Sequence, residues 1–312
     1  MAKSNTRQTA DVAHVVGRKN LIINGGFDVW QRGTSFTPSS GSVSFTADRW
    51  GYYTNGGTTR AAAKVSEIVN GEMRDVLKAT IVGATNADTR FLRQPIENLK
   101  QFSGKTLTLS FWAKASVAID YRLERREKYG TGGSSNVDIV FDTVSITTSW
   151  QKFTSTFTVG DLSAKTFGPD NTSNLLLMWK QIGIPADHDL YISDVQCELG
   201  SVATDFEHRS YGEELALCQR YYHFMKIANG NEFAGIVDGY YTGGNYMTRH
   251  FLFPVTMRTT PSVTNMSMGS TSNCNSFSVN CYEPYGLMVN GRAINTGRAY
   301  YYFNGWTADA EL

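Results

Sequence analysis

The chain has 312 residues, with 29 Lys and Arg against 28 Asp and Glu and a formal net charge of +1. So balanced a surface offers no field to a phosphate backbone or an anionic lipid, which argues against a nucleic-acid partner and against membrane insertion. Apolar residues at 41%, aromatics at 12% and 29 glycines against 7 prolines suit a glycine-turned β protein, long enough for two packed domains.

Residues 1–19 are polar and without a strong period, and they read as an anchoring arm that lies against another protein. They lack the apolar core of a signal peptide, and no later run is long and apolar enough to span a bilayer, so a soluble chain made in a cytoplasm is expected. From Asn20 onward, short apolar segments alternate with Gly, Ser, Thr and Asn. In LTLSFWAK, Leu107, Leu109 and Phe111 alternate with Thr108 and Ser110, which predicts a strand packed on one face only. KFTSTFTVG repeats the pattern with Phe153, Phe157 and Val159, and NLLLMWKQIGI adds a nearly continuous apolar strand. Several such strands predict a β-sandwich. Ser210 and Glu213 form a capping box that predicts a short helix over 211–220, and Glu207, His208 and Arg209 mark a domain boundary near 208. Beyond it the aromatic load rises, and VNGR at 289–292 reads as a type I′ hairpin turn on Asn290 and Gly291. The expected fold is all-β: an arm at 1–19, a β-sandwich at 20–208 and a smaller C-terminal β-sandwich at 209–312, joined by the short helix. No fixed-period repeat supports a solenoid or β-helix.

No nucleophile elbow, zinc-protease helix or phosphate loop is present. The GTGG and GGNY stretches at 130–133 and 243–246 read as turns. Cys197, Cys218, Cys274 and Cys281 are too few for a disulfide framework and read as free thiols. His14, His188, His208, His223 and His250 have no metal-ligand spacing. Glu124 and Glu127, with Asp138 and Asp142, are the carboxylates a glycoside hydrolase would use, but their alternation with apolar residues favours a solvated strand face, so no catalytic residue is expected. Trp50, Tyr52, Tyr53, Tyr240, Tyr241 and Tyr246 offer flat rings for stacking on sugars, against the competing reading of core or subunit interface. In LYISDVQCELG the single carboxylate of Asp194 interrupts an apolar run, and catalytic acid, metal ligand and structural residue all remain open for it.

The stretches NLIINGGFDVWQRGTSF at 20–36, ADRW at 47–50, FWAKAS at 111–116, LYISDVQCELGSVATDFEHRSYGEELALCQRYY at 190–222, FPVTMRTTPSV at 253–263 and the terminal TADAEL occur in a fixed order. Together they resemble a domain of tailed-bacteriophage tail-fibre and receptor-binding proteins. The resemblance implies a phage structural protein whose first domain is a jelly roll similar to carbohydrate-binding modules. It also implies a homotrimer in the virion, held to other virion proteins through residues 1–19 and facing bacterial surface polysaccharide. A head fibre or decoration protein is the rival within the virion, and a polysaccharide depolymerase using Glu124 or Glu127 is the enzymatic one. In similar jelly rolls the last strand's aspartate sits beside the first strand and helps to hold calcium, a place that Asp194 would take with Asp28 opposite it. Without the ion, Asp194 would accept backbone N–H bonds from the opening loop.

Overall fold

The structure, a computed structural model, describes residues 18–312 apart from 56–58, 84–88, 182–186, 227–234, 265–267 and 304. Residues 1–17 of the expected arm, with His14, lie outside the described residues. Two compact units are present, one running to Tyr211 and the other spanning Gly212–Glu311. No helix among the described residues is long and apolar enough to cross a membrane.

The first unit carries β1 (Ser35–Phe36), β2 (Ser42–Phe45), β3 (Gly51–Thr54), β4 (Thr59–Val69), β5 (Glu72–Val82), β6 (Arg90–Glu97), β7 (Thr106–Ala115), β8 (Ile119–Lys128), β9 (Val137–Ile146), β10 (Gln151–Thr158), β11 (Asn174–Gln181) and β12 (His188–Leu199). They form two six-stranded antiparallel sheets, β1-β4-β5-β12-β7-β10 and β2-β3-β6-β11-β8-β9, the crossed-over order of a jelly roll. Between them lies an aromatic chain in which Phe27 meets Trp50 at 4.9 Å, Trp50 meets Trp179 at 5.4 Å and Trp179 meets Phe111 at 5.6 Å.

The expected alternation is present in β7, where Leu107, Leu109 and Phe111 are core residues. Its other face is not solvated, however: Thr108 and Ser110 are buried as well. The chain after β12 folds back over them, Thr108 donating to the Gly200 carbonyl at 2.8 Å and the Gly200 N–H to that of Thr106 at 2.9 Å. β11 lies between β6 and β8. Both its faces are buried along Asn174–Trp179, which is why it reads as a continuous apolar run.

The second unit takes in α1 (Tyr211–Gln219) from Gly212 onward, followed by β13 (Tyr222–Lys226), β14 (Gly235–Tyr241), β15 (Tyr246–Leu252), β16 (Ser262–Thr264), β17 (Met268–Ser272), β18 (Cys274–Glu283), β19 (Gly286–Ala293), β20 (Gly297–Phe303) and β21 (Gly305–Asp309). These make three three-stranded sheets, β13-β21-β16, β14-β20-β17 and β15-β19-β18. Met247, Val289, Tyr301 and Trp306 are at the centre of one core.

The hairpin turn expected at Asn290–Gly291 is overturned, because both residues lie inside β19, paired to β15 on one side and β18 on the other. The chain reverses instead at Pro284–Tyr285, between Glu283 and Gly286. An Asn-Gly pair does turn a hairpin at Asn70–Gly71, between β4 and β5, with φ of 49° and 83°. Positive φ at both positions is what a type I′ turn requires. All four cysteines are free thiols, and Cys281 is the one not fully buried.

Candidate functional site

Strand pairing sets the side chains of the β2-β3-β6-β11-β8-β9 sheet in rows. One outward row runs Val43, Tyr53, Phe91, Lys180, Arg122, and the next runs Phe45, Gly51, Arg93, Met178, Glu124, Val140. Tyr53 and Phe91 stack at 4.8 Å with their planes 12° apart. The guanidiniums of Arg32 and Arg93 sit 5.1 and 6.0 Å from the Phe45 ring centre. On the far side Arg126 holds Asp138, Nη2 to Oδ2 at 2.7 Å. Met178, and Leu176 in the row below, are buried at the centre, so the accessible chemistry is at the two ends. Lys128, in the row beyond Arg126 and Asp138, has its pKa lowered by burial and by the neighbouring Arg93 and Arg126.

Of the six aromatic candidates, Tyr53 is half-buried on this face, whereas Trp50 and Tyr52 are 0% and 1% exposed and belong to the core. A sugar cannot reach either ring, so both expectations are overturned. The indole of Trp50 has a local task, its N–H meeting the Asn24 carbonyl at 2.9 Å. Tyr241 packs against the second unit's core, while Tyr240 and Tyr246 are 78% and 69% exposed. Phe45, Phe91, Arg32 and Arg93 escaped the sequence reading. Tyr53 alone announced the face, and strand pairing was needed to place the others beside it.

Glu124 and Glu127 do not face one another. Against β11, Glu124 pairs with Met178 and Glu127 with Leu175, positions three apart that fall on opposite faces of the sheet. Glu124 lies between Arg122 at 3.4 Å and Lys180 at 3.3 Å. Glu127 is paired with Arg125 at 3.2 Å and accepts from the Tyr129 hydroxyl at 2.8 Å. That phenol is pushed up to about 12 by burial and by the carboxylate beside it.

Asp194 sits in the irregularity of β12 between Ser193 and Gln196, with φ at 49°. Left-handed backbone is tolerated by aspartate better than by most residues, and the bulge re-aims its side chain. The carboxylate accepts from the Ser193 hydroxyl at 3.3 Å and pairs with Arg74 at 3.6 Å. It shares a cavity of about 230 Å³ with Asp28, Asp75, Arg74, His208 and Phe206. Burial raises the pKa of Asp194 and Arg74 opposes it; Asp28, which is exposed, is raised by partial desolvation against the cavity wall and then by Asp75.

The two carboxylates expected to hold calcium are thus brought together. Yet Arg74 neutralises Asp194, Lys64 holds Asp75 at 2.7 Å, and no group of three or more His, Cys, Asp or Glu among the described residues is arranged as a metal-ligand set. Calcium wants six to eight oxygens, and this donor set does not fit a resident ion.

The clasp on the opening loop is made by Asn20, not by the Asp194 carboxylate. Asn20 donates to the Val195 carbonyl at 3.0 Å and accepts from the N–H groups of Cys197 at 3.1 Å and Ile22 at 2.9 Å. Backbone bonds from Val195 to Gly25 and from Leu21 to Cys197 complete it. A Cβ on Gly25 would stand 2.1 Å from the Val195 carbonyl oxygen, so only glycine permits the approach.

A family model described as a carbohydrate binding domain matches residues 19–168, just under half of the chain. No curated protein matches it. Among solved structures, one described as CBM4 structure and function is 19% identical over 57% of this chain and 98% of its own, with a TM-score of 0.35. A family 11 carbohydrate-binding module of a Clostridium thermocellum cellulosomal cellulase is 15% identical over 55% of this chain and 96% of its own, with a TM-score of 0.34. The enzymatically active domain of bacteriophage CBA120 tailspike protein 4 is 13% identical over 58% of this chain but only 21% of its own, with a TM-score of 0.37. These are likenesses only, and the fold rests on the strand order of the chain itself.

Proposed function

We propose that this protein is a bacteriophage structural component, a tail-fibre or receptor-binding subunit, that binds bacterial surface polysaccharide through the outward face of the β2-β3-β6-β11-β8-β9 sheet. The observation that carries the reading is the match of residues 19–168 to a carbohydrate binding domain, on a unit whose outward face holds the half-buried Tyr53–Phe91 stack flanked by Arg93. Stacked rings take the apolar face of a pyranose, and flanking guanidiniums donate to its hydroxyls. The virion role is supported by the ordered series of tail-fibre-like motifs, and assembly as a homotrimer would add avidity to weak single contacts.

The test is binding of the purified chain to host cells and their extracted polysaccharide, with release of reducing ends followed in the same tubes. Binding without release is the expected result. Release abolished by Glu124→Gln or Glu127→Gln would replace this reading with a depolymerase, and absence of binding would leave a purely architectural part.

A further inference from the structure

We propose that the turn-rich end of the second unit is a separate saccharide site, selective for sugars that carry a carboxylate. The inference rests on reading the chain as carbohydrate-binding, and it concerns a unit that the family match does not reach.

Two turns meet at this end: 242–245 joins β14 to β15, and 294–296 joins β19 to β20. Gly244 N–H donates to the Ala293 carbonyl at 2.8 Å, Ala293 N–H to that of Asn245 at 2.9 Å, and Gly243 N–H to the Thr296 hydroxyl at 3.0 Å. A Cβ on Gly243 would lie 3.0 Å from the Ile294 carbonyl oxygen, so the glycine lets the turns close on each other. Asn273 braces the second turn, donating to the Asn295 carbonyl at 2.8 Å and accepting from the Asn295 N–H at 2.9 Å.

A tyrosine–arginine pair flanks this double turn on each side. Tyr240 stands opposite Arg298 across β14 and β20, and Tyr246 opposite Arg292 across β15 and β19. The core-facing positions next in sequence, Tyr241 and Met247, turn Tyr240 and Tyr246 outward, where they are 78% and 69% exposed. Arg298 forks Asp238 through Nε at 3.0 Å and Nη2 at 2.7 Å. Arg292 is oriented by the Gly244 carbonyl at 2.9 Å, and among the described residues no carboxylate pairs with it.

Ion pairs and single apolar groups this exposed add little to stability, so folding does not explain their fixed placement. Recognition does. A tyrosine face accepts the C–H face of a sugar ring, and a guanidinium matches a carboxylate with two parallel hydrogen bonds. Arg298 is already neutralised, which leaves the charge of Arg292 to select an acidic sugar over its neutral counterpart.

The full chain is titrated calorimetrically with a galacturonate trisaccharide and with its methyl ester, alongside host polysaccharide. The free acid is expected to bind about tenfold or more tighter than the ester, the scale of one charge-assisted bond. Arg292→Ala should remove that preference, Arg292→Lys should retain part of it, and Tyr246→Ala should weaken both ligands. Both positions are exposed, and a thermal melt confirms that the variants fold. Host polysaccharide bound normally, with acid and ester indistinguishable or with both variants unchanged, overturns this site and leaves the first unit's role intact. Binding of no saccharide at all removes both readings. A variant that alters sedimentation but not saccharide binding makes this end a contact between copies, and likewise overturns the site.

Discussion

Asn20→Ala should remove the clasp between the opening loop and the last strand of the jelly roll. Asn20 is 4% exposed and makes three hydrogen bonds, to the Val195 carbonyl and from the N–H groups of Ile22 and Cys197. Alanine deletes all three and strands two backbone donors that water does not reach. At about 1–3 kcal/mol for each of the two stranded donors, and about 1 kcal/mol for the bond to the Val195 carbonyl, the loss comes to about 3–7 kcal/mol. A whole domain is stable by about 5–15 kcal/mol, so the first unit should unfold at far lower urea. Asn20→Asp keeps the acceptor but sets a carboxylate oxygen against the Val195 carbonyl, and should be comparably damaging. Tryptophan fluorescence is the assay, since Trp30, Trp50, Trp112, Trp150 and Trp179 all lie in the first unit. A loss below about 1 kcal/mol would show that the loop is held by its backbone bonds alone and that the side-chain reasoning is wrong.

Tyr53→Ala should weaken polysaccharide binding about tenfold without changing the melting temperature, whereas Trp50→Ala should cost about 3–5 kcal/mol of stability; the reverse pattern would move the binding face elsewhere. Asp28 and Asp194 have raised pKa values, so their contribution to stability is full below the ordinary 3.8 and is lost as the pH rises through their folded values. Asp28 is exposed and solvent screens its charge, so Asp28→Asn should raise the melting temperature at neutral pH only slightly, with the gap closing as the pH falls below 3.8, and a gap independent of pH would refute the assignment. Because Arg74 and Lys64 already neutralise their neighbours, millimolar calcium should leave the melting temperature unchanged; a rise abolished by Asp28→Asn would establish an ion there. Gly291→Ala places a Cβ 2.8 Å from the Tyr301 ring and should destabilise the second unit by about 1–3 kcal/mol, as overpacking does. An unchanged melt would mean that the ring yields.

The sequence by itself determined what depends on near neighbours along the chain. The period of two in LTLSFWAK and KFTSTFTVG set strands and their inward faces, the S-x-x-E pattern at Ser210 and Glu213 marked where α1 starts, and the continuous apolar run of NLLLMWKQ set a strand covered on both sides. Partners distant in sequence were decided only by the tertiary structure. Asn70–Gly71 and Asn290–Gly291 are the same dipeptide, yet the first turns a hairpin and the second lies in a central strand. There Asn290 accepts from Thr248 at 2.7 Å, and the glycine makes room for the Tyr301 ring. Trp50 and Tyr53 are three residues apart and alike in character, but one closes the core and the other lies outward against Phe91. Asp194 was visible as an interruption, but its pairing with Arg74 and its place beside Asp28 needed the fold, as did the transfer of the clasp to Asn20. The physical reason is common to all of these. Backbone preference is local and weak, whereas burial and pairing are set by whatever strand the fold brings alongside.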